Sequence, residues 1–114
     1  MQNIATIQYE DFEKLDLRVA EILKVEEIEG ADKLYKLTIS VGELGERTIC
    51  AGIKQFYTKK ELQNKKIIII ANLEPRKLRG IESQGMLLAA SNKESNTCVL
   101  LTLDAEIPAG TKIS

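Results

Sequence analysis

The sequence contains no histidine and no tryptophan. Without an imidazole there is no Ser-His-Asp triad, no Cys-His nucleophile pair and no histidine metal ligand. Aromatic residues are scarce: Tyr9, Phe12, Tyr35, Phe56 and Tyr57. They are too few for base-stacking platforms of the single-strand type to dominate. The chain has only two prolines and seven glycines, and no linker, internal repeat or low-complexity segment divides it. Apolar runs are short as well. Ile67–Ala71 stops at five residues, far below the ~20 that span a bilayer. The opening Met1–Thr6 has neither a basic segment nor a long apolar one, so no secretory signal is expected there.

What remains is the composition of an ordinary globular domain, with 114 residues, 44% hydrophobic and 29% charged. That length corresponds to one domain, residues 1–114, with enough core to fold without staples. Cys50 and Cys98 each lie in a stretch of alternating apolar character. They admit a disulfide or redox pairing, or two small strand residues in a reducing compartment. The second fits the behaviour of free cysteine as a small hydrophobe, and a cytoplasmic location is expected.

The net charge of −1 conceals an asymmetry. Residues 1–53 carry six basic and eleven acidic side chains, residues 54–93 nine and three, and residues 94–114 one and three. A basic segment inside a near-neutral chain with a pI of about 5.6 implies a local anion site, or else a solvated charged face.

Apolar patterning predicts the elements. Glu10–Leu15 reads as a helical turn with acids at its positive end. Leu17–Ile28 reads as a long strand whose alternation slips at Glu21-Ile22, the mark of a bulge or sharp bend. Tyr35–Val41 alternates cleanly, Gly42 and Gly45 bracket a turn, and Arg47–Ala51 returns with Ile49 and Ala51 inward. Thr58-Lys59-Lys60-Glu61 fits a helix capping box, with Tyr57 and Leu62 at the staple positions. Lys66–Ala71, Gly85–Ala90 and Cys98–Leu103 read as further strands, with polar turns at Ser91–Asn96 and Pro108–Gly110. Five short strands with a helix between the third and fourth predict an all-β chain with short helices. The expected arrangement is an OB-fold five-stranded β-barrel with an N-terminal helical turn and a C-terminal strand extension.

Residues 72–86 join two buried strands and must lie at the barrel rim. Arg76, Lys77 and Arg79 fall within four residues, bracketed by Pro75 and Gly80. Pro75 disfavours helix at Glu74, so an extended or turned connection carries the cations. Ser83 and Gln84 add neutral groups of the kind that contact phosphate, sugar and base edges. A charged connection that merely keeps a sheet edge soluble has the same look.

Several stretches, taken in order, resemble one family. They are Asp11-Phe12 followed by Asp16-Leu17-Arg18-Val19, then Ala31-Asp32-Lys33-Leu34 and Ala51-Gly52-Ile53. After them come Asn72-Leu73, Pro75-Arg76-Lys77, Arg79-Gly80 and Ser83-Gln84-Gly85-Met86. The chain resembles the tRNA-binding domain at the C-terminus of bacterial and archaeal methionyl-tRNA synthetases, and its stand-alone dimeric relatives. It differs at Gln8, where Ser or Thr is common, and at Leu103-Asp104, where Pro-Asp is common.

The resemblance implies an OB-fold that grips the outer corner of tRNA by shape, without catalytic residues, cofactor or metal. Contacts are expected from Lys33, Asn72, Arg76, Lys77, Arg79, Ser83, Gln84 and Met86. It also implies a homodimer joined through residues near Ile4–Phe12 and a tail from about Ser91 to Ile113, with an aminoacyl-tRNA synthetase as a further partner and no membrane. Two other readings stay open. One is a chaperone-like protein of the same fold that binds unfolded polypeptide. The other is an enzyme using pairs such as Glu26-Glu27, whose neighbours point to opposite strand faces.

Overall fold

In the computed structural model, which describes residues 4–114, alternation and its one failure set the course of the barrel. After the short helix α1 (Tyr9–Glu13), strand β1 (Leu17–Glu27) buries Val19, Ala20, Ile22 and Val25. The slip foreseen in the sequence is a bulge at Leu23. Ile22 pairs with Ile39 and Lys24 with Thr38, so Leu23 is the extra residue. The bulge bends β1, letting its first half pair with β4 (Lys66–Ile70) and its second with β2 (Tyr35–Ser40).

Strand β2 alternates buried and half-exposed residues along its length and pairs with β3 (Glu46–Ala51) around a 3₁₀ turn at Gly42–Leu44. The short helix α2 (Lys59–Leu62) follows, and its Leu62 is fully buried. In β4, Ile67 and Ile69 face the core while Ile68 and Ile70 are half-buried. Ile22, Leu37, Ile39, Ile49, Leu62, Ile67 and Ile69 meet in one cluster with almost no exposure. Burial of each such side chain stabilises the fold by about 1.5–3 kcal/mol before entropy is counted.

The sheet runs β3-β2-β1-β4-β7, with β7 at Met86–Leu87, and curls until β3 lies beside β7 and the short strand β6 (Ile81–Ser83). This is the OB-fold, with short helices at the expected places. The reading of Gly85–Ala90 as one strand is corrected. The chain leaves the barrel at Leu88, and Ala89–Asn92 (β8) pairs instead with β9 (Thr97–Leu100) as a separate hairpin. An unbroken apolar stretch gives no sign of where a strand changes partners. The last predicted strand also ends at Leu100 rather than Leu103.

A C-terminal strand, β10 (Lys112–Ile113), extends the ladder on β1 beside Leu17 and Arg18. The tail reaches it by passing against the β2–β3 turn. A Cβ at Gly42 would lie 2.3 Å from the Ala109 carbonyl oxygen, so only glycine fits there.

Candidate functional site

Between β4 and β7 the chain forms a hairpin from β5 (Arg76–Leu78) and β6, projecting beyond the barrel. Its two-residue loop is Arg79-Gly80, with φ of 54° and 80°. Positive φ at both positions is the mark of a type I′ turn, whose twist matches the flanking strands. The rigid turn puts Arg79 at the hairpin tip. Arg76, Lys77 and Arg79 are exposed, and none is in an ion pair among the described residues.

Across from the tip is the β1–β2 loop. An open groove of about 410 Å³ is lined by Gly30, Ala31, Asp32, Lys33, Leu34 and Arg79. The Arg79 guanidinium lies over Gly30, with Nη1 4.0 Å from where a Cβ would stand. Lys33, exposed and unpaired among the described residues, therefore shares this groove with the hairpin tip. The loops between the first two strands and between the last two are where OB-folds bind oligonucleotides.

Most cations elsewhere are engaged, with Lys60, Lys65 and Lys93 unpaired among the described residues. Lys54 and Lys59 hold Glu27 at 2.8 and 3.5 Å, and the Lys54 hydrogen bond is the main reason the Glu27 carboxyl sits below its ordinary range. Lys66 binds Glu106, and Arg18 and Lys112 bind Asp16. A larger groove of about 520 Å³ has Glu21, Asp104 and Glu106 in its wall and is unsuited to a polyanion.

The other expected contacts divide. Met86 lies on β7 with 45% of its surface exposed, so it is not core. Asn72 is exposed, yet both ends of its amide bond the chain: Oδ1 accepts from the Asp16 N–H and Nδ2 donates to the Lys14 carbonyl. Ser83 offers no free hydroxyl at the rim. It is buried, and its Oγ accepts the Cys50 N–H at 3.0 Å. Gln84 is half-buried, with its Oε1 on the Thr48 N–H. Gly30, which turns the loop beneath the Arg79 side chain at φ 78°, was not foreseen as part of the groove; its signal was no more than a turn-forming Gly-Ala-Asp.

Cys50 and Cys98 are both free and half-buried, and burial pushes the Cys50 thiol up, away from nucleophilic reactivity.

Residues 17–112 match the family model described as "Putative tRNA binding domain". The chain is 55% identical over 113 residues to a methionine–tRNA ligase of Caldanaerobacter subterraneus, covering 99% of the chain and 17% of that ligase. It is 50% identical over 107 residues to the enzyme of Pyrococcus horikoshii, covering 94% of the chain and 14% of the relative. The chain thus spans about a sixth of the length of these curated relatives.

Among solved structures, a MetRS related protein from P. horikoshii superposes with a TM-score of 0.90 at 34% identity, covering 97% of this chain and all of that one. A chaperone, CsaA, from Bacillus anthracis superposes with a TM-score of 0.87 at 34% identity, covering 96% of this chain and all of that one.

Proposed function

The chain belongs to the tRNA-binding domain family, and from that membership we propose a non-catalytic module that holds the outer corner of tRNA by shape and backbone, with little regard to sequence. It serves a methionyl-tRNA synthetase as an appended domain or separate subunit, in the cytoplasm. The observation that carries this reading is the meeting of Arg79, at the tip of a hairpin that also bears Arg76 and Lys77, with Lys33 across one groove, all four exposed and without ion-pair partners among the described residues.

Phosphate contacts from these cations fix position without reading bases, and Met86 packs on a sugar or base beside them. Tethered near a catalytic site, such a module raises the local concentration of tRNA. Two copies pair through residues near Ile4–Phe12 and the tail from about Ser91 to Ile113, which leave Ile4, Ile7, Tyr9 and Val99 exposed.

Binding of bulk tRNA measured across a salt series tests the proposal. Four phosphate contacts give a log–log slope of about −3, and Arg76→Ala or Arg79→Ala each flatten it by about 0.7–0.9. An RNA duplex of equal length should bind more weakly. Equal affinity for duplex and tRNA would overturn recognition of the tRNA corner.

The CsaA likeness supports a second reading, polypeptide binding by the same fold. Stoichiometric suppression of a client's aggregation, with no affinity for tRNA, would favour it.

A further inference from the structure

The hairpin that carries three of the four cations is short, and two strands of three residues are marginal alone. Its feet are held by uncharged side chains. At the leading foot, Asn72 Oδ1 accepts the Asp16 N–H at 2.9 Å and Nδ2 donates to the Lys14 carbonyl at 2.7 Å. The Ala71 N–H donates to the Asp16 carbonyl at 2.7 Å, so three bonds tie the end of β4 to the segment between α1 and β1.

At the trailing foot, Ser83 Oγ accepts the Cys50 N–H at 3.0 Å. Gln84 holds Thr48 twice, its Oε1 accepting the Thr48 N–H at 3.0 Å and its own N–H donating to the Thr48 carbonyl at 2.8 Å. These Thr48 and Cys50 groups belong to the strand edge that β2 does not cover, and the side chains close it where the ladder stops.

We propose that Asn72, Ser83 and Gln84 are positioning residues for polyanion binding. They act by fixing both feet of the hairpin, so that Arg79 is held over the groove it shares with Lys33, and not by touching the nucleic acid. The proposal rests on the functional reading above and departs from the contacts that the family resemblance implies. An excursion freed at one foot samples many conformers, and binding must then order it, which lowers affinity. Ser83, with 4% of its surface exposed, has no face left to offer a ligand.

The test uses Asn72→Ala, Ser83→Ala and Gln84→Ala, each made alone and combined with Arg79→Ala. Affinity for bulk tRNA is measured at fixed salt, and amide hydrogen exchange at Thr48 and Cys50 is followed without RNA. Each single change should weaken binding about fivefold. Combined with Arg79→Ala, each should lose clearly less than the product of the single losses, because a misplaced Arg79 and an absent one are the same defect. Cys50 exchange in Ser83→Ala and Thr48 exchange in Gln84→Ala should quicken about tenfold.

Losses that simply multiply would show direct contact and overturn the proposal, as would unchanged exchange. Failure of the unaltered chain to bind tRNA overturns the functional reading instead, and the exchange arm still reports whether the feet hold the hairpin. Asn72 and Gln84 are outside the core, so their variants decide the matter even if Ser83→Ala does not fold.

Discussion

Arg79 occupies a backbone conformation that its own side chain does nothing to favour. At φ 54° beside Gly80, it stands where asparagine or aspartate is the usual first residue of a type I′ loop. An arginine there carries local strain of about 1 kcal/mol. Arg79→Asn should therefore raise stability by about 0.5–1 kcal/mol while weakening tRNA binding, read as a higher melting midpoint and a poorer binding isotherm from one preparation. A fall in both would mean that the side chain braces the hairpin. Asp16 gives a second prediction. Its carboxyl is held below the ordinary 3.8, chiefly by the Arg18 hydrogen bond and further by Lys112, against the opposing effect of burial. A carboxyl lowered on folding stabilises the native state above the unfolded value, and the gain is lost as pH falls through the folded one. Urea midpoints from about pH 7 to about pH 2.5 should thus fall more steeply for the unaltered chain than for Asp16→Asn, the curves converging in acid. The difference at neutral pH should stay within about 1 kcal/mol, since the group meets solvent. At this scale the cations were legible because Pro75 and Gly80 frame them within a few residues. The roles of Ser83 and Gln84 were not, because their partners Cys50 and Thr48 lie 33 and 36 residues away along the chain.

Helix α2 shows how much a local signal can determine. Within four residues the capping box forms as the spacing predicts: Glu61 Oε1 accepts the Thr58 N–H at 2.8 Å and Thr58 Oγ1 accepts the Glu61 N–H at 3.2 Å. Tyr57 and Leu62 flank it, and Leu62 is completely buried, so the cap secures the entry angle of a core residue. Thr58→Ala should cost about 1 kcal/mol in chemical denaturation and Thr58→Ser much less; equal losses would place the stabilisation in the threonine methyl group instead. The bulge in β1 was legible for a similar reason, since a broken alternation is visible in one strand. The first helix was less so. Gln8 makes no side-chain cap, and the Asp11 carboxylate takes the Gln8 N–H at 3.2 Å instead. The division of 85–90 between β7 and β8 depends on two different partners, β4 and β9, and no periodicity within the segment encodes which residue faces which. The β5–β6 hairpin was hidden because its arms are three residues long and its turn carries arginine in place of asparagine.

Across the whole molecule, acidic side chains gather toward the N-terminal half and basic ones toward 54–93, and among the described residues folding leaves Lys33 and the three hairpin cations without ion pairs while most others are neutralised. A single copy with four contacts holds a polyanion weakly at physiological salt. Two copies joined would present two such edges to one tRNA, and the second contact becomes intramolecular. The exposed Ile4, Ile7, Tyr9 and Val99 supply an apolar area for that pairing, in segments that carry none of the four cations. Light scattering on the unaltered chain should accordingly give about twice its 12.7 kDa. Ile7→Asp or Val99→Asp should halve the mass and weaken tRNA binding by at least about tenfold, leaving the melting profile of the barrel cooperative. The weakening must appear with all four cations in place, which separates it from the hairpin variants: loss of pairing lowers affinity by removing the second edge, whereas Arg76→Ala lowers it within each copy. If the unaltered chain is monomeric and binds one tRNA with the full salt slope, a single edge suffices and the pairing has no part in recognition.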